Sequence, residues 1–225
     1  MGLKLLNTCL LAALLVLPVS CRNDDSDPDP TVTFTDMATL VSNSESEGIV
    51  FAISAEGDSP EVSVAFPGQT LDSSVAQPGR RYLIRYTVDG NRPYTTGTGR
   101  LLGINAAHNG LVDDDTDAAA LFAASSPQTL VSVWRTGDWI NLEALCTYVS
   151  GAPAVYNIVA DTESLGTSHP DMYLVYTPDN IEDGATTRTL YSSFNIGSLW
   201  NNPSFSGLTL HIKTADGVRA YVFNR

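Results

Sequence analysis

The chain has 225 residues, with 25 Asp+Glu against 12 Lys+Arg and a formal net charge of −13 at pH 7. A field of that sign argues against nucleic acid or anionic lipid headgroups as the main partner, because a phosphate-binding surface needs the opposite charge. The length allows one large or two modest domains.

The first twenty residues read as a leader that is removed. Lys4 supplies the positive start and Leu10 to Leu17 an apolar run. That run is too short to cross a bilayer, which takes roughly 20 residues as a helix. Pro18-Val19-Ser20 then leads into Cys21. This layout resembles a bacterial lipoprotein signal, in which a small residue such as Ser20 precedes the lipidated cysteine; Pro18 stands where leucine is usual. The other reading is a plain secretory signal with an incidental cysteine. On the lipoprotein reading Cys21 carries several acyl chains, and several are needed because one chain alone holds only marginally.

Residues 22–30 carry four aspartates and two prolines and nothing apolar to bury. Like charges repel and proline blocks helix, so 21–31 reads as a disordered tether. An acidic run directly after the cysteine resembles the surface-export signal of lipoproteins in Bacteroides-type bacteria. The expected location is therefore the outer membrane, lipid-anchored and surface-exposed. Without residues 1–20 the charge becomes −14, since only Lys4 is lost. Cys146 is then the one thiol left, so the fold has no intramolecular disulfide and rests on its core.

Residues 32–112 read as short strands broken by turn signals. Val32 to Val41, Ile49 to Ile53 and Glu61 to Phe66 are followed by the clearest alternation in the chain. Tyr82, Ile84, Tyr86 and Val88 point one way, and Arg81, Leu83, Arg85 and Thr87 the other. Gly99 to Asn105 makes a fifth strand. Five strands in about 80 residues suit a small barrel of the OB type. Residues 113–127 form a linker with a short helix, because aspartates before an alanine-rich run complement the helix dipole.

Residues 128–225 read as an antiparallel β-sandwich of six or seven strands. Trp139 to Val149 alternates, with Ile140, Leu142, Ala144, Cys146 and Tyr148 on one face. Leu208 to Lys213 and Val218 to Phe223 flank Thr214-Ala215-Asp216-Gly217, a hairpin signal. The fold class is all-β: a small OB-like barrel, then an antiparallel sandwich.

No motif declares a reaction. Asp113 to Asp117 lacks the glycine and distal glutamate of a calcium loop and reads as a solvated segment. His108, His169 and His211 have no ligand spacing, and Cys146 lies on an apolar face as a structural thiol. No G-x-S-x-G elbow occurs. The expectation is no catalytic, cofactor-binding or metal residue and no cofactor.

One feature favours a ligand. Arg80, Arg81, Arg85, Arg92 and Arg100 are five of the 11 basic residues after the leader. With Tyr82, Tyr86 and Tyr94 they suggest a cationic, aromatic barrel face, and Arg81, Tyr82, Arg85 and Tyr86 are its candidate ligand residues. The competing reading pairs these arginines with the domain's own acids. The partners expected are the membrane, through acyl chains on Cys21, and a protein or glycan ligand; nucleic acid is not expected.

The order of signal, barrel with Gly79-Arg80-Arg81-Tyr82, and sandwich with Gly137-Asp138-Trp139-Ile140-Asn141-Leu142 carries a resemblance. Ser193-Phe194-Asn195-Ile196 and the terminal hairpin complete it. The chain resembles the NigD-like lipoproteins of Bacteroides-type bacteria, which combine an OB domain with a β-sandwich. Met172 to Tyr176 is less polar than that family's middle strands. The resemblance implies no established enzymatic activity and a link to bacteriocin gene clusters. A glycan-binding accessory lipoprotein of an uptake system is the alternative function.

Overall fold

A computed structural model describes residues 31–149, 152–179 and 184–225. The leader, Cys21 and the tether through residue 30 lie outside the described residues.

Five strands close the barrel. They are β1 (Phe34–Ser44), β2 (Gly48–Ile53), β3 (Val62–Phe66), β4 (Arg81–Val88) and β5 (Gly97–Ala106), in the order β1-β2-β3-β5-β4. β3 and β5 pair in parallel and the other neighbours antiparallel. This is the expected OB-type barrel. Its strands form because one side of each has an apolar residue at every second position. Leu40, Phe51, Val64, Phe66, Tyr82, Ile84 and Tyr86 all fall in one buried cluster.

Among the described residues, nine strands make the sandwich. β6 (His108–Gly110) and β7 (Val112–Asp115) precede helix α1 (Ala118–Ala124). β8 (Thr129–Thr136), β9 (Trp139–Tyr148), β10 (Val155–Asp161), β11 (Asp171–Thr177) and β12 (Thr186–Asn195) follow, then the one-turn helix α2 (Gly197–Trp200). β13 (Gly207–Thr214) and β14 (Gly217–Asn224) close the chain. One sheet runs β14-β13-β11-β10-β7 and the other β6-β12-β9-β8. Ile140, Leu142, Ala144 and Cys146, with Phe194 of the neighbouring strand, face Ile158, Leu174 and Leu210 in the shared core, as the alternation of β9 requires. The hairpin turns through Ala215 and Asp216, and Gly217 takes φ +122°, a value open to glycine.

Two expectations are corrected. The sandwich is not purely antiparallel: β6 pairs in parallel with β12, β7 with β10 and β11 with β13. The barrel also ends at Ala106 rather than 112, and 113–127 is not only a linker with a helix. β6 and β7 are already sandwich strands, one in each sheet, so the chain edges both sheets before α1 begins. Helix α1 forms where expected, with Ala118 and Phe122 buried against Val159, Val175 and Tyr173. Residues 31–225 form a single compact unit.

The tyrosines set an alkaline limit on this fold. Tyr86 and Tyr94 both donate to the Asp36 carboxylate, at 2.9 and 2.8 Å. Burial and that carboxylate hold the Tyr86 phenol far above its ordinary value and push Tyr94 up to about 12. Burial pushes Tyr156 upward as well. A phenol raised in the folded state costs nothing below the unfolded value of about 10. Above it the unfolded chain ionises first, so stability falls as pH climbs. Arg81, depressed by burial to about 10, acts in the opposite sense as pH rises further. Three phenols outweigh it. Melting temperature is expected to fall above about pH 10, and the Tyr86→Phe, Tyr94→Phe pair should flatten that fall.

Candidate functional site

Barrel and sandwich meet around Arg81, the first residue of β4. Alternation places its side chain outside the barrel, as expected, yet there it is covered by the sandwich and fully buried. Its guanidinium donates to the Met37 carbonyl at 3.0 Å, Asn141 Oδ1 at 3.1 Å and Thr136 Oγ1 at 3.2 Å. Longer bonds of 3.4 Å reach Ser193 Oγ and Thr39 Oγ1. The Trp139 ring lies 5.1 Å from the guanidinium carbon. Every hydrogen-bond acceptor here is neutral.

Asn141 organises that set. Its Oδ1 also accepts from Ser193 Oγ at 2.6 Å, and its amide donates to Thr136 Oγ1 at 3.0 Å. Behind it, Asn109 of β6 clasps the Arg81 backbone, accepting from its N–H at 2.8 Å and donating to its carbonyl at 3.2 Å. A second strap joins the β2–β3 loop to the β8–β9 turn. Gly57 bridges Thr136, and Arg135 pairs with Asp58 at 2.6 Å while lying 4.0 Å over the Trp200 ring.

The four candidate ligand residues therefore do not form one surface. Tyr82 and Tyr86 fill the barrel interior, where Tyr82 accepts from the Gln77 N–H and Tyr86 binds Asp36. Arg81 is spent at the junction. Arg85 alone is exposed, on the barrel's outer side. Arg80, Arg92 and Arg100 are exposed too, and none of these four makes an ion pair among the described residues. The competing reading of internally neutralised arginines is likewise not what the structure shows.

Among the depressions that remain as places for a ligand are the following three. Arg85 lines one of about 290 Å³ with Thr35, Leu83, Leu102 and Asn105. A cleft of about 220 Å³ lies at the junction, lined by Ser54, Ser59, Glu61, Thr136, Asp138 and Trp139. The third, about 330 Å³, runs beside α1 over Val155, Val159 and Val175, with Asp113 and Asp115 at its side. Sequence reasoning missed the junction cleft; its one signal was Trp139 on the non-core face of β9.

The remaining chemical candidates are occupied. Burial pushes the Cys146 thiol up to about 12, and its sulfur lies 3.5 Å from Gln128 Oε1. His108 bonds the Tyr156 carbonyl at 2.8 Å, and burial holds its pKa down. His211 contacts Asp171 at 2.7 Å and stacks on Tyr173. No group of three or more metal-ligating side chains occurs among the described residues.

These features define a class: an OB-type barrel docked on a mixed β-sandwich through a buried arginine. No protein-family model and no curated protein matches the chain. Solved structures share its fold. A protein of unknown function (DUF1344) from Bacteroides vulgatus superposes with a TM-score of 0.65 at 13% identity, over 86% of this chain and 91% of its own. A candidate lipoprotein from Bacteroides fragilis gives 0.56 at 11% identity, over 86% and 98%. A NigD-like immunity protein from Bacteroides caccae gives 0.51 at 15% identity, over 84% and 90%. The two-domain architecture expected from the NigD-like resemblance is thus present across nearly the whole described chain.

Proposed function

We propose that this chain is a lipid-anchored cell-envelope protein without catalytic activity, presenting a binding or protective surface in a bacteriocin-associated setting. Cys21, set between an apolar leader and an acidic run, carries the reading. The lipoprotein and immunity names attached to two proteins of the same fold support it. Lipid supplies attachment, the aspartate-rich segment supplies reach, and the outer membrane surface is the location that follows. The occupied histidines and the raised Cys146 thiol favour a binding role over a reaction.

A glycan ligand is the second reading, favoured by the junction cleft. Trp139 offers an aromatic surface there, and Ser54, Ser59, Glu61, Thr136 and Asp138 offer hydrogen-bonding groups. Arg81 is no probe of it, since its loss disturbs the junction itself; Trp139 and Glu61, which line the cleft, are the residues to vary.

Cys21→Ser is expected to abolish acyl labelling and release the protein from membranes; unchanged retention refutes the anchor. Deleting the gene should sensitise cells to a bacteriocin, with protection restored by the unaltered chain and not by Cys21→Ser. Equal sensitivity with and without the gene ends the protective reading. Polysaccharide binding lost with Trp139→Ala would select the glycan reading, and product release from a polysaccharide panel would overturn the non-enzymatic one.

A further inference from the structure

The sandwich has four sheet edges, and three are closed or blunted. β7 is four residues long and three of them are aspartate. β6 is three residues long, and its Asn109 is committed to the Arg81 backbone. β8 is bridged at both ends, Gln128 to Thr214 and Thr136 to Gly57. β14 differs. It runs eight residues in unbroken register with β13, contains no proline, lysine or bulge, and has Arg219 as its single charge.

Hydrogen-bond direction shows what this edge presents. Thr209 of β13 donates to the Pro170 carbonyl on the β11 side, and Arg225 donates to the Ser206 carbonyl. Even-numbered residues of β13 therefore bond β14, through Arg219, Tyr221 and Phe223. The N–H and C=O groups of Val218, Ala220 and Val222 point to the open edge. Their side chains share one face, with Val218 and Val222 each 57% exposed, while Tyr221 and Phe223 pack on the core from the other.

We propose that β14 pairs antiparallel with β14 of a second copy of this chain, about a two-fold axis at Ala220. That register sets Ala220 against Ala220 and Val218 against Val222, so the outward backbone groups meet each other and six small apolar side chains form one ribbon. It places Arg219 beside Tyr221 of the second copy, a cation–π pairing. Asp216 falls opposite Asn224 and one residue from Arg225 of the second copy, opposite charges at both ends. Arg219 pairs with Asp216 of its own chain at 3.3 Å, so charge along this edge is mixed in an otherwise acidic protein. The contact is isologous, and it joins the two five-stranded sheets into one. One strand pair buries less than the roughly 800 Å² per partner of a standard interface, so the dimer is reversible.

The test uses the whole chain in its own cells. Residues in such a hydrogen-bonded pair have Cα atoms about 5.5 Å apart, within disulfide reach. Ala220→Cys under mild oxidant should give a covalent species of twice the chain mass. The unaltered chain, with its own cysteines, and Thr209→Cys on the inner strand should not. Val222→Lys added to Ala220→Cys should remove that band while leaving the melting temperature unchanged. Purified unaltered chain should show an average mass rising from one copy towards two with concentration. No covalent dimer from Ala220→Cys, a crosslink to a protein of another mass, or a band that survives Val222→Lys would each overturn the proposal.

Discussion

Asn141→Leu is expected to destabilise the protein by about 3 kcal/mol, the upper end for removing one hydrogen-bond partner of a buried charged group. The Arg81 guanidinium is already depressed to about 10 by desolvation, so burial is not fully offset even with five acceptors around it. On the order of 3 kcal/mol of that penalty remains. Leucine at 141 takes away the 3.1 Å acceptor, removes the acceptor of the Ser193 hydroxyl and leaves Thr136 Oγ1 with Arg81 alone. In a chain this size the melting temperature should drop by roughly 10 °C. Adding Arg81→Met removes the charge, and the double variant should be more stable than Asn141→Leu alone. Such a cycle isolates the coupling. Simple additivity of the two losses would show that the junction is held by packing instead.

Gly110→Val should cost about 3 kcal/mol, the upper end for overpacking a core. Gly110 lies in β6 opposite Phe194, and a Cβ there would enter the Phe194 ring. The ring has no room to turn aside, being fully buried between His108 and Tyr156. Gly103→Ala in the barrel is the matched control, since a Cβ there meets nothing within 4 Å. Urea midpoints should separate the two clearly. Phe194→Leu combined with Gly110→Val should regain part of the loss; a double variant as weak as both losses together would place the strain elsewhere.

How far the sequence could be read depended on what each signal reports. Alternation in β4 and β9 identifies core residues correctly because burial in one strand depends on parity alone. Tyr82, Ile84 and Tyr86 turned inward, as did Ile140, Leu142 and Cys146. Parity does not say what covers the opposite face. Arg81 and Asn141 were readable as outward-pointing, yet each domain's outward face is the other's cover, and a polar pair buried there looks like surface. β6 and β7 escaped for another reason. Strands of three and four residues carry too few alternations to register, and their parallel partners lie far along the chain. The aspartates of β7 read as solvated loop, although Val112 alone packs on the core. The ligand face failed because tyrosine and arginine adjacent in a strand necessarily point to opposite sides.

The early placement of β6 and β7 has a consequence for biosynthesis. The barrel strands are all available once Ala106 has left the ribosome, whereas His108 must wait for Ser192, 84 positions later. At ordinary elongation rates that is roughly 4–17 s. Through that interval a finished barrel carries a hydrated arginine and the unpaired β6, while β7 finds β10 earlier, once Ile158 has followed Val112. Ser193, 112 positions after Arg81, arrives with the strand that covers them. Dehydration of the guanidinium is thus a closing event, and agents that stall translation between β7 and β12 should leave a folded barrel trailing an unfolded sandwich.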